Sequence, residues 1–187
     1  MITVALVNAL AIGGALALLL RLRGLRALAP ALLLLLWELL PLAWTPASLL
    51  VLAGGTGSLS ITAALLPVVA LVERSGGGVW MTAQERQALA LAVAVAGAVL
   101  LAALLGMPGL EGLYGTGFGD FRLSTALLLA GMAAWVLRAW SLCLLLAAGQ
   151  LAFGFRLLPA DNLWDYLVDP FLWAWALGYS MISTSRA

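Results

Sequence analysis

The sequence predicts an all-α fold, a polytopic bundle of about seven transmembrane helices, and three observations predict it. First, its 187 residues are 65% hydrophobic and 9% charged, with a mean hydropathy of +1.13; a soluble domain carries roughly a quarter charged residues. Second, its apolar runs are continuous, rich in Leu and Ala, and close to the ~20 residues with which a helix crosses a bilayer. A membrane barrel would instead alternate apolar and polar residues over ~10-residue segments. Third, the arginines gather in alternate loops, the asymmetry that orients membrane helices.

The first span covers about residues 2–20. No charge precedes it, and Arg21, Arg23 and Arg26 follow it. A secretory signal carries its positive charge at the start, so this reads as an uncleaved helix with its N-terminus outside. The second span, 27–44, contains Pro30, Glu38 and Pro41, with Trp37 and Trp44 suited to the outer interface. Thr45-Pro46 reads as an N-cap with proline at the first helical position. The apolar piece Ala47 to Ala53 is too short to span and reads as interfacial or re-entrant.

The third span, 58–72, opens at Ser58 or Ser60 and should kink at Pro67. A polar loop follows, in which Thr82 and Glu85 have capping-box spacing, so the fourth span, 87–105, is expected to start from there. Asp120 is the expected cap of the fifth span, 121–137. Arg138 is the only charge between Leu123 and Phe155. That interval is too long for one crossing, so it is split into spans 121–137 and 139–155, although no glycine or proline marks a turn. With Arg138 intramembrane there would be six spans. The seventh span, 171–183, follows a polar connector from Pro159 to Pro170. This arrangement puts Arg21, Arg23, Arg26, Arg74, Arg86, Arg138 and Arg186 inside and only Arg122 and Arg156 outside. The C-terminus is then cytoplasmic, and the arginine-only, Ala- and Leu-rich composition suits a bacterial inner membrane.

A shift of 62 residues superposes Pro46 on Pro108, Gly55 on Gly117, Gly57 on Gly119 and Ala64-Leu65-Leu66 on Ala126-Leu127-Leu128. The expectation is a parallel repeat of two hairpins, set against chance matching in a Gly-, Ala- and Leu-rich chain.

Few residues could carry chemistry. Lysine and histidine are missing, which removes Schiff-base chemistry and the usual imidazole bases and metal ligands. No metal cluster, cofactor motif or nucleophile–base pair is recognisable. The net charge of +1 attracts no nucleic acid. The lone Cys143, within an apolar run, reads as a small buried hydrophobe.

A carboxylate inside a span is a functional candidate by default, and Glu38 is read as a proton- or cation-binding group or, the favoured alternative, as a structural ion pair or a protonated acid bonded to a neighbouring helix. Its natural partners are the outer Arg122 and Arg156. Asp161, Asp165 and Asp169 are spaced to share one face of a short amphipathic helix, with Asp161 as its cap and Pro170 as its end. They offer a divalent-cation patch, a docking surface for a basic partner or, the favoured alternative, an interfacial amphipathic helix. The turns Gly55, Gly57, Ser58 and Gly117, Gly119, Asp120 are read as paired backbone nests for an anion, or as plain turn chemistry. Together with Glu38, Arg122 and Arg156 they make up the candidate ligand site.

Three functions are weighed. An enzyme acting on lipid has the least support. A small transporter or lipid-headgroup binder stands between. The leading expectation is a non-catalytic subunit, embedded in the bilayer and packed against other membrane subunits or further copies of itself. Small residues such as Gly13-Gly14-Ala15, and Gly97 beside Ala94, Ala96 and Ala98, would permit close helix contact.

Overall fold

The computed structural model describes residues 2–39, 58–119 and 121–184. Among these the chain is all helical, as expected, with no strand. The helices are α1 (Ile2–Leu19), α2 (Ala29–Leu39), α3 (Ile61–Arg74), α4 (Ala83–Leu104), α5 (Phe121–Val136), α6 (Trp140–Gly154), α7 (Leu163–Leu167) and α8 (Pro170–Thr184). Short 3-10 turns cover Gly24–Leu28 and Tyr114–Gly117. Among the described residues two helices, α1 and α4, are long and apolar enough to cross a membrane. The others are shorter: α3, α5, α6 and α8 have 14, 16, 15 and 15 residues.

Five helices stop in the same reversed turn. The second residue after the helix takes positive φ and the next amide bonds back to the last helical turn. In α3 and α4 that residue is Gly76 (φ 92°) and Gly106 (φ 76°); in α1, α5 and α6 it is Arg21 (φ 55°), Arg138 (φ 60°) and Arg156 (φ 51°). The closing bonds include Leu22 N–H to Ala17 O (2.9 Å), Ala139 N–H to Ala134 O (2.8 Å) and Leu157 N–H to Ala152 O (3.0 Å). Arginine pays strain there that glycine would not, and places a cation against the negative helix end. The chain therefore does turn at Arg138, and α5 packs back on α6, with Trp135 and Trp140 edge-to-face across the turn at 4.6 Å.

Helix starts follow the capping rules with two corrections. Ser60, not Ser58, caps α3, accepting from Ala63 N–H at 3.1 Å; Ser58 is buried just before it. Thr82 and Glu85 form the expected capping box of α4. Asn162, not Asp161, caps α7 by accepting from Trp164 N–H at 3.0 Å. The aligned residues Ile61 and Leu123 are the first residue of α3 and the third of α5, so the two halves do not start in step.

Packing uses the small residues within the chain. A β-carbon at Gly13 would overlap the backbone of Ala31 in α2, and one at Gly14 would lie 2.7 Å from Pro67 Cβ in α3. α1 therefore wedges between these two helices. A β-carbon at Gly97 would strike the indole of Trp173, whose Nε1 donates to Ala94 O at 3.0 Å, locking α4 to α8. These contacts are internal, so Gly13, Gly14, Ala94 and Gly97 do not present the partner-facing surface expected of them. One apolar cluster joins Val7, Ile61, Leu123, Leu163 and Tyr166; a second joins Ala90, Val93, Leu172 and Ala176.

Hydrogen bonds place the helix ends. Arg74 Nη1 donates to Leu18 O at 3.0 Å, so α1 and α3 finish together. Glu73 pairs with Arg86 at 2.8 Å, which brings the start of α4 to that end. Ser141, in the first turn of α6, bonds to Glu85 there too. The starts of α3 and α8 meet at the opposite end.

Candidate functional site

The polar side chains collect at the two ends of the bundle. The end that holds the starts of α3 and α8 is organised by Asp169. Its Oδ2 accepts from the amide (3.0 Å) and hydroxyl (2.5 Å) of Ser60. Its Oδ1 accepts from Phe171 N–H and Leu172 N–H, both at 2.9 Å. One buried carboxylate thus satisfies free amides of two helix starts, where the dipole also favours negative charge. Pro170 begins α8 rather than ending α7. Nearby, Asn8 of α1, 4% exposed, accepts from Leu59 N–H at 2.9 Å.

A second group surrounds α7. Asn162 donates to Tyr114 O at 3.0 Å. Tyr114 donates its hydroxyl to the Asp165 carboxylate, 3.0 Å from one oxygen and 3.1 Å from the other. Trp164 Nε1 donates to Leu113 O and Thr116 Oγ1, each at 3.3 Å. Burial, then the nearby Asp165 charge, pushes the Tyr114 phenol up to about 12. Burial also raises Asp165, against the bond it accepts from Tyr114.

The three aspartates therefore do not share a helix face. α7 is too short for that: Asp161 precedes it and is exposed, Asp165 lies in it half-buried, and Asp169 follows it and is buried. The Gly117 turn is dictated by contact, because any β-carbon there would overlap the Asn162 side chain. Gly119 is exposed with φ 81°. Arg122 is exposed in the first turn of α5, and Arg156 is exposed at the end of α6. Gly55, Gly57 and Asp120 lie outside the described residues, as does the side chain of Glu38, which belongs to the last turn of α2. The structure brings Ser60 to Asp169 and Tyr114 to Asp165; the expected pairing of the two glycine turns falls on residues it does not describe.

The opposite end holds two more carboxylates. Glu85 accepts from Thr82 N–H (2.8 Å) and Oγ1 (2.9 Å) through Oε2, and from Ser141 Oγ (2.7 Å) and N–H (3.3 Å) through Oε1. It joins the starts of α4 and α6 as Asp169 joins α3 and α8. Glu73 accepts from Trp80 N–H (3.0 Å), Met81 N–H (2.7 Å) and Arg86 (2.8 Å), which folds the glycine loop back onto α3. Sequence reasoning missed Ser60, Ser141 and Tyr114 as partners of these acids. The Asp169-Pro170 pair was the available signal, since it has the same cap-then-proline form as Thr45-Pro46.

A groove of about 550 Å³ opens beside this second end, between α3 and α6. Leu65, Val69, Leu144 and Ala148 line it, with Trp80 and Trp140 at its mouth. Comparison with protein-family models, with curated proteins and with solved structures finds no match.

Proposed function

We propose that this chain is a non-catalytic integral membrane subunit of about seven spans that packs against a larger membrane partner. The observation that carries the reading is α5. Among the described residues its helix neighbour is α6, with the turn Tyr114–Gly117 at its start, and only Leu123 and Ala134 are buried along its length. Leu128, Leu129, Met132 and Val136 are exposed, and among the described residues nothing lies within 4 Å of a β-carbon built at Gly131. A helix held on one side, with a small residue on its open side, suits close contact with another membrane helix.

Two further observations support the subunit reading. The buried Asp169 and Glu85 are engaged in holding helix starts, which favours a structural role for both. Six arginines, Arg21, Arg23, Arg26, Arg74, Arg86 and Arg138, lie at the end where α1 and α3 finish, while Arg122 and Arg156 lie at the other. By the positive-inside rule the first end is cytoplasmic and the N-terminus is outside; the proposed location is a bacterial inner membrane.

The test is purification from native membranes in a mild detergent. A partner should co-purify at fixed stoichiometry, and Gly131→Leu should release it without lowering the thermal midpoint of the isolated chain. Recovery of wild-type protein alone, monodisperse and partnerless, would overturn the reading. The alternative, a transporter or lipid-headgroup binder using Glu38, Arg122 and Arg156, is favoured by the placement of both arginines at one end. It predicts solute movement in liposomes that hold this chain alone.

A further inference from the structure

The connector between α1 and α2 carries three of the nine arginines within six residues. α1 ends at Leu19, Arg21 takes positive φ, and the chain turns into the 3-10 segment Gly24–Leu28. This turn folds Arg21, Arg23 and Arg26 around a concavity of about 490 Å³, completed by Leu22 and Leu25. Arg74 adds a fourth cation at the same end of α1, its guanidinium on Leu18 O at 3.0 Å. Among the described residues the ion pair present is Arg86 with Glu73, which leaves no carboxylate on these three arginines. Leu25 is 86% exposed and stands beside them.

We propose that this concavity binds the phosphate of an anionic phospholipid in the cytoplasmic leaflet, with Leu22 and Leu25 against its acyl region. The inference rests on the membrane reading above, which puts this end at the cytoplasmic surface. Guanidinium groups bind phosphate oxygens in a two-pronged fork, which lysine cannot reproduce. A basic pocket on the cytoplasmic side of membrane helices is the chemistry that selects anionic headgroups. The placement commits the site to a lipid. The arginines follow directly on an apolar helix, so a headgroup reaches them while its chains stay in the bilayer. A lysine connector would serve topology equally well, but not this two-pronged recognition.

The experiment uses the full chain in detergent. Native mass spectra are recorded with added phosphatidylglycerol, phosphatidylcholine or inorganic phosphate. Each arginine at an anionic surface is worth about fivefold in affinity, so wild type should retain phosphatidylglycerol at least about fivefold better than phosphatidylcholine. The triple variant Arg21→Gln, Arg23→Gln, Arg26→Gln should lose that preference. The triple Arg→Lys variant keeps the charge that sets orientation and should show an intermediate preference. Equal retention by wild type and the Gln variant, or phosphate bound as tightly as the lipid, overturns the proposal.

Topology is read separately by impermeant labelling of Leu25→Cys in a Cys143→Ser background. Protection from outside, without a lipid preference, sinks this inference and leaves the membrane reading standing. External labelling sinks both.

Discussion

Ser60 and Asp169 lie 109 residues apart in the chain and share two hydrogen bonds, amide and hydroxyl both donating to one carboxylate oxygen. That pair ties the start of α3 to the start of α8, and the other oxygen of Asp169 caps α8. Removing the carboxylate strips partners from both helix starts at once. Ser60→Ala should cost about 1 kcal/mol, the value of a cap. Asp169→Ala should cost about 2–4 kcal/mol, because it also leaves buried amides without acceptors. The two changes should be strongly non-additive, since each removes the same contact. Thermal unfolding in detergent reads this, and an Asp169→Ala midpoint equal to wild type would refute the account.

Glu85 and Ser141 make the corresponding tie at the other end. Glu85→Gln keeps the shape but gives one arm donors where Thr82 and Ser141 both donate. The loss should be about 1–3 kcal/mol. Ser141→Ala should cost less, about 1 kcal/mol. The measurement is again thermal unfolding, and a larger loss from Ser141→Ala than from Glu85→Gln would contradict the shared-acceptor geometry.

Tyr114 and Asp165 make a pH-dependent contact outside the predicted spans. A folded-state pKa raised above the unfolded value means that the folded form holds its proton more tightly. The stability this gives is fully present below the unfolded pKa and is lost as pH rises through the folded one. For Tyr114, raised from 10.0 to about 12, the loss falls between those values. Asp165, raised above 3.8, has the same sign, so its contribution declines as pH climbs from that value. A difference absorbance titration of wild type against Tyr114→Phe should show one phenol ionising near the top of the alkaline range. A difference step centred at pH 10 would rule out the buried contact.

Much of this architecture was legible in the sequence, and the failures have identifiable causes. The capping box at Thr82 and Glu85 was readable because both partners are local. Ser60 with Asp169, and Glu85 with Ser141, are long-range bonds between helix starts, and no single-segment pattern encodes them. The spacing of Asp161, Asp165 and Asp169 suggested a helix face, but Asp169-Pro170 is itself a helix start and breaks the register. Gly13, Gly14 and Gly97 announced close helix contact correctly. What they could not announce is that the neighbours are Ala31, Pro67 and Trp173 of the same chain. The turn at Arg138 carried no glycine because arginine occupies the positive-φ position that glycine usually fills.

Gly97 and Gly131 give a contrast between used and unused small residues. Gly97→Val would drive a branched side chain into the Trp173 indole, and overpacking of this kind costs about 1–3 kcal/mol. Gly131→Val meets open space among the described residues, so the isolated chain should stay within about 0.5 kcal/mol of wild type. Thermal midpoints in detergent decide it, and equal losses at both positions would remove the claim that α4 and α8 close around Gly97.

The turn at Arg138 gives the sharpest test, because two architectures predict opposite signs. With Arg138 at φ 60°, glycine relieves the left-handed strain but loosens the unfolded chain and removes a cation from the helix end. These terms offset, so Arg138→Gly should stay within about 1 kcal/mol of wild type. Valine is worse than arginine in the left-handed region, and Arg138→Val should lose about 1–2 kcal/mol. In a continuous helix through this residue the order reverses: glycine in a helix interior costs about 1 kcal/mol, and valine costs less. Unfolding midpoints of the two variants, measured beside wild type in one detergent, separate the cases. A valine variant more stable than the glycine variant would mean that α5 and α6 are one helix, and the six-span alternative would replace the hairpin.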